Sequence, residues 1–180
     1  MSNFVRLSVT VASLALAATP ASAQNADPMT AGALTQFRVV KNFIVRAADK
    51  VPADVYAFRP TPEVRTMGEL FGHIADGFME MCSTAGGGKP PRTNIEKSVT
   101  GKAELVKALA DGAAYCEEVF AGMNDRKGVE TVPFYFGPTP RVSVLYFTVT
   151  HAYEHYGNLV TYMRLKNIVP PSSEPAPAPR

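Results

Sequence analysis

Apolar residues recur at helical spacing in four stretches of the chain, and glycine and proline punctuate the segments between them. From Thr30 to about Asp49, Leu34, Phe37, Val40, Ile44 and Val45 share one helical face, and Pro52 stops the helix. Val51 to Arg65 carries Pro52, Pro60 and Pro62 and reads as an ordered loop. Thr66-Met67-Gly68-Glu69 has the spacing of a capping box and opens a second helix, which runs to about Ser83 with Leu70, His73/Ile74, Gly77 and Met81 on its inner face. Ala85-Gly86-Gly87-Gly88 and Pro90-Pro91 end it.

A third helix is expected from Thr100, a good N-cap, to about Gly122, with Leu105, Leu109, Tyr115/Cys116, Val119 and Phe120 inside. Gly128 to Pro140 mixes Val129, Val132, Phe134, Tyr135 and Phe136 with turn residues, which suggests an extended loop or small hairpin, aromatic enough to line a pocket mouth. The fourth helix runs from Pro140 to about Asn167. Its expected core stripe is Val144, Phe147/Thr148, His151, His155, Asn158/Leu159 and Tyr162. Pro170-Pro171 close it, and residues 173–180 form a Pro/Ala-rich tail with nothing to bury. Four amphipathic helices with negligible sheet imply an all-α four-helix bundle, one domain over residues 24–172. The first two connections are long enough to act as crossovers along a whole helix.

The N-terminus has a different character. Arg6, the apolar run Leu7 to Ala18 and the small-x-small triplet Ala21-Ser22-Ala23 have the layout of a secretory signal peptide over residues 1–23, with the mature chain starting at Gln24. The apolar run is too short to span a bilayer, and no cysteine follows for lipidation, so no stable membrane anchor is expected after cleavage. The expectation is an exported, periplasmic protein. Of 180 residues 46% are hydrophobic and 19% charged, and the formal net charge is only +2, with no basic run, which argues against a nucleic-acid partner. An oxidising compartment favours a disulfide between the only cysteines, Cys82 and Cys116. Each lies sixteen residues past the expected start of its helix, so the thiols are level if the second and third helices run parallel and at opposite ends if they run antiparallel.

The chemistry concentrates in histidine. His151 and His155, four residues apart, stack on one helix face, and the third histidine, His73, lies on the inner face of the second helix. All three take positions that packing would give to aliphatic residues, and Gly77, one turn after His73, leaves space at a conformational cost of about 1 kcal/mol. Together they form a candidate set of metal ligands. Imidazole suits Zn, Ni, Cu and Fe, with zinc or nickel the leading expectation for a divalent ion. Three protein ligands leave a position for water or substrate. Asp76 and Glu80, three and seven residues after His73, are the candidate proton-transfer carboxylates. Gly86-Gly87-Gly88 lacks the residues of a phosphate-binding loop.

The stretch from Phe58 to Ile74, and His151-Ala152-Tyr153-Glu154-His155-Tyr156-Gly157-Asn158 through Arg164 with the exit Ile168 to Ser172, resemble the second-helix entry and last helix of DinB-like (DinB/YfiT superfamily) proteins. The resemblance spans roughly residues 30 to 172. It implies an up-down-down-up bundle with the second and third helices parallel, which favours the disulfide. It also implies a metal triad of His73, His151 and His155, and a tendency to dimerise. Some relatives activate a low-molecular-weight thiol at such a site; the export signal stands against a cytosolic thiol cofactor here. The reading is a metal-dependent hydrolase or thiol transferase acting on a small molecule. The alternative is a non-catalytic metal-binding or stress-related bundle.

Overall fold

The computed structural model describes residues 26–175. The expected signal peptide and residues 176–180 lie outside the described residues. Four long helices carry the fold: α1 (Pro28–Lys50), α2 (Met67–Gly86), α4 (Lys102–Ala121) and α6 (Arg141–Leu165). The short helices α3 (Ile95–Ser98) and α5 (Asp125–Gly128) interrupt the connections, and β1 (Thr131–Phe134) pairs antiparallel with β2 (Gly137–Pro140) in a hairpin that leads into α6. Among the described residues no helix is long and apolar enough to cross a membrane.

Helix α2 packs between α4 and α6, and so does α1, which puts α1 and α2 on one diagonal of the bundle. Directions follow from the contacts. Gly68 faces Leu105 near the start of α2 and α4, and Cys82 is bonded to Cys116 near their ends, so these neighbours run parallel. Helices α1 and α6 are also parallel: the Tyr146 hydroxyl donates to the Met29 carbonyl at one end, and Phe43 stacks on Tyr156 further along both helices. Across α2 and α6 the order reverses. Arg141, at the start of α6, donates to the Ala85 carbonyl at the end of α2, and Tyr162 donates to the Arg65 carbonyl just before α2 begins. The arrangement is up-down-down-up, as the family resemblance implied.

The periodic residues form the core. Phe37 stacks on Phe120 at 4.5 Å and meets the edge of Phe78 at 5.3 Å, which ties α1 to both α4 and α2. Ala33, Val40, Ile44 and Ala47 complete the buried face of α1. The capping box is complete: Thr66 Oγ1 accepts from the Glu69 amide, and a Glu69 carboxylate oxygen accepts from the Thr66 amide.

Three elements differ from expectation. Helix α4 starts at Lys102 behind Gly101, and Thr100 caps nothing, because the preceding residues are drawn into α3 and held against α2. The buried face of α6 is centred on Leu145, Thr148, Ala152, His155 and Leu159, which leaves Phe147 and His151 at its margin and Asn158 exposed. At the C-terminus Ser173 and Glu174 have partners: Arg164 donates to the Ser173 hydroxyl, and Arg46 and Lys50 pair with Glu174.

The Cys82–Cys116 disulfide bridges the parallel pair with its Cα atoms 5.3 Å apart, closing a separation of 34 residues. Chain-entropy arguments give such a loop about 3–4 kcal/mol. Replacing both cysteines by alanine is expected to lower the unfolding free energy by about that amount in denaturant titrations. An unchanged midpoint, or two free thiols by mass in oxidised protein, would remove the disulfide from the account.

Candidate metal centre

His73 stands on the second turn of α2, and His151 and His155 on successive turns of α6, where the two helices pass antiparallel. Their Nε2 atoms converge: His151 Nε2 is 3.2 Å from that of His73 and 3.1 Å from that of His155. Gly77 makes the approach possible, because a Cβ there would lie 2.9 Å from His151 Cε1. The space inferred from this glycine is occupied by a histidine ring.

The cluster is seated in a low-dielectric region. His155 is only 7% exposed. Desolvation, with the neighbouring imidazoles adding to it, lowers the pKa of both His151 and His155 to about 4. These two rings therefore stay neutral, the form that coordinates metal, well below neutral pH.

The hydrogen bonds show which nitrogens are free. His73 Nδ1 lies 3.0 Å from Glu96 Oε2. A carboxylate can only accept, so the His73 proton sits on Nδ1 and Nε2 presents a lone pair. Asn158 Nδ2 lies 3.4 Å from His155 Nδ1 and donates to it, so in the absence of metal the His155 proton falls on Nε2, facing His151 Nε2. His151 Nδ1 is buried without a partner. The His155 proton can serve His151 Nε2, which leaves the His73 lone pair facing the same nitrogen without a donor. A cation at the centre satisfies all three. Nitrogens bound tetrahedrally at about 2.0–2.1 Å lie roughly 3.3 Å apart, close to the observed spacings. The three histidines are the residues that could hold a metal ion, with ligand atoms within 4.8 Å of one another.

Glu96 is the residue that pattern reading missed. It sits on α3, in the crossover between α2 and α4, and a precise local fit holds it there. The Asp76 carboxylate accepts from the amides of Ile95 and Glu96, both at 2.8 Å. Gly72 lets the crossover backbone lie directly on α2, since a Cβ there would be 2.7 Å from Glu96 Cα. Glu96 Oε1 accepts from Arg65 at 3.2 Å and Lys97 at 3.1 Å. Burial pushes the Glu96 pKa up, but Lys97, Arg65 and His73 outweigh it, and the net shift is downward. The one available sequence signal was Gly72, the residue just before His73 on α2.

The two carboxylates singled out from spacing are placed elsewhere. Asp76 spends both oxygens on the amides of α3, a positioning task. Glu80 is exposed and acts on the Tyr135 hydroxyl at the hairpin tip; desolvation first and Glu80 second raise the Tyr135 pKa to about 12. Neither joins the imidazole cluster.

A model of the DinB superfamily matches residues 36–159, a span that contains all three histidines. The chain belongs to the DinB superfamily. Among solved structures, a DinB-like protein from Bacillus cereus superposes with a TM-score of 0.69 at 18% identity, over 78% of this chain and 95% of that one. A DinB-like protein from Bacillus subtilis gives 0.63 at 15% identity, over 76% and 92%. The mycothiol-dependent maleylpyruvate isomerase gives 0.57 at 12% identity, over 74% and 65%. At these identities the likeness is one of fold. No curated protein matches the chain.

Two outcomes follow. Glu96→Gln is expected to weaken divalent-metal affinity by about 10- to 100-fold, as loss of a carboxylate behind a ligating histidine does; unchanged affinity by competitive titration would leave Glu96 no role at the centre. In metal-free protein, His151 and His155 bind protons more readily unfolded (near 6.5) than folded (about 4). Stability is then fully present above pH 6.5 and declines as pH falls toward 4. His155→Asn should flatten that decline in denaturant midpoints, and an identical slope in both proteins would contradict the assignment.

Proposed function

We propose that this protein is an exported metalloenzyme in which His73, His151 and His155 hold one divalent ion, zinc or nickel, for hydrolysis or group transfer on a small-molecule substrate. The carrying observation is the convergence of three Nε2 atoms, that of His151 lying 3.1–3.2 Å from the other two, with no sulfur or carboxylate in the cluster among the described residues. Three protein donors leave a coordination position for water or substrate. A bound divalent ion supplies Lewis acidity, lowering the pKa of what occupies that position.

The chain's own residues do the rest. Glu96 keeps the His73 proton on Nδ1 and, being ionised, strengthens Nε2 as a donor. Desolvation keeps His151 and His155 neutral. His73 retains 26% side-chain exposure, which leaves one side of the cluster open. A groove of about 550 Å³ runs alongside, lined by Arg65, Leu70, Glu96, Lys97, Asn158 and Tyr162.

Export is supported by the n-region, apolar run and small-x-small triplet over residues 1–23 and by the Cys82–Cys116 pair. The mycothiol-dependent isomerase among the structural neighbours favours a thiol as one co-substrate class. An address outside the cytosol favours water instead, so hydrolysis leads and thiol transfer follows.

The test is metal analysis of mature protein purified without a histidine tag. The expected result is one divalent ion per chain, lost in His151→Ala. No ion in the wild type, or equal occupancy in the variant, would end this reading.

A further inference from the structure

The hairpin tip defies the usual chemistry of its turn. Phe134 pairs with Gly137, so Tyr135 and Phe136 form the turn itself, where Asn, Asp and Gly are the common residues. Both rings stand largely in solvent, Tyr135 58% and Phe136 76% exposed. Their ring contacts leave most of each ring in water, and residues that break local rules at such a cost gather at functional sites.

Ring contacts lead from this tip to the histidines. Phe134, Tyr135 and Phe136 lie 5.3, 6.2 and 5.7 Å, centroid to centroid, from Phe147 on α6. Phe147 sits one turn before His151, and their rings are 6.4 Å apart with planes only 20° from parallel. The hairpin also packs on the other ligand-bearing helix, with β1 against α2, and Glu80 on α2 is near enough to act on the Tyr135 hydroxyl. An aromatic surface thus begins in solvent and ends against a candidate ligand, bridging both helices that supply the cluster.

We propose that this surface is a substrate subsite for an uncharged aryl or branched apolar group, which rests on Phe136 and Phe147 while a metal-binding group of the same molecule reaches the histidines. The inference rests on the reading of the cluster as an open metal site. Charge supports the choice of occupant. Glu80 is the charged group that acts on the Tyr135 hydroxyl, and it repels a carboxylate, whereas Arg65 and Lys97 border the separate groove beside Glu96 and Asn158. An apolar group leaving water for two ring faces recovers the free energy that exposed Phe136 forgoes in the free protein.

The experiment titrates the zinc-loaded full chain with acetohydroxamate, phenylpropionohydroxamate and succinic monohydroxamate, three probes that share one chelating group. The aryl probe is expected to bind about tenfold more tightly than acetohydroxamate. In Phe136→Ser that advantage should fall below about threefold while acetohydroxamate affinity stays unchanged, because the residue is exposed and remote from the chelating group. Equal affinities, an advantage retained in the variant, or preference for the succinic probe would each overturn the subsite. So would a dimer that dissociates in Phe136→Ser with the aryl preference intact, which would make the tip a chain–chain contact. If zinc binds and none of the probes does, the open-site reading fails and takes the subsite with it; loss of the aryl preference alone leaves that reading standing.

Discussion

Three imidazole nitrogens gathered in a largely desolvated space, with His151 Nε2 only 3.1–3.2 Å from those of His155 and His73, are the constraint on which this structure turns. Lone pairs repel, and a buried nitrogen without a partner is destabilising by about 1–3 kcal/mol. A fold that gathers three such nitrogens loses stability locally unless a cation is shared among their Nε2 atoms, and His151 Nδ1 is buried without a partner besides. The same burial that would make a metal-free cluster unfavourable keeps His151 and His155 neutral, so desolvation both creates the need and preserves the donors.

Bundle topology supplies the rest. Because α2 and α4 run parallel, the chain must return along α2 between them, and that return carries Glu96 past His73. A tight antiparallel turn would have no backbone there. Gly72 admits the returning strand, Asp76 grips its amides, and Arg65 and Lys97 hold the Glu96 carboxylate on its other oxygen. The disulfide fastens the same parallel pair near its far end. The metal-facing proton pattern of His73 is thus a consequence of helix order.

Much of this was legible in sequence because its causes are local. The i,i+4 spacing of His151 and His155 follows from helical geometry, the capping box of α2 from Thr66 and Glu69, and the hairpin from its aromatic and turn residues. Glu96 was not legible, since nothing between Pro91 and Thr100 has a periodicity, and α3 exists through bonds to Asp76, nineteen and twenty residues away in sequence. For the same reason Asp76 read as a candidate base when its oxygens are held by backbone. The α4 start was misplaced because Thr100 is a good cap in isolation, whereas tertiary contacts fix the preceding residues. The face of α6 came out rotated since His151 and Phe147 were counted as core, and they instead mark the border between core and site.

X-ray absorption at the zinc edge of the loaded, tag-free protein tests the central claim most directly. Three imidazole nitrogens at about 2.0–2.1 Å with at least one further light scatterer from solvent is the predicted first shell. Sulfur in that shell, or four imidazoles drawn from two chains, would contradict a three-histidine centre with an open face.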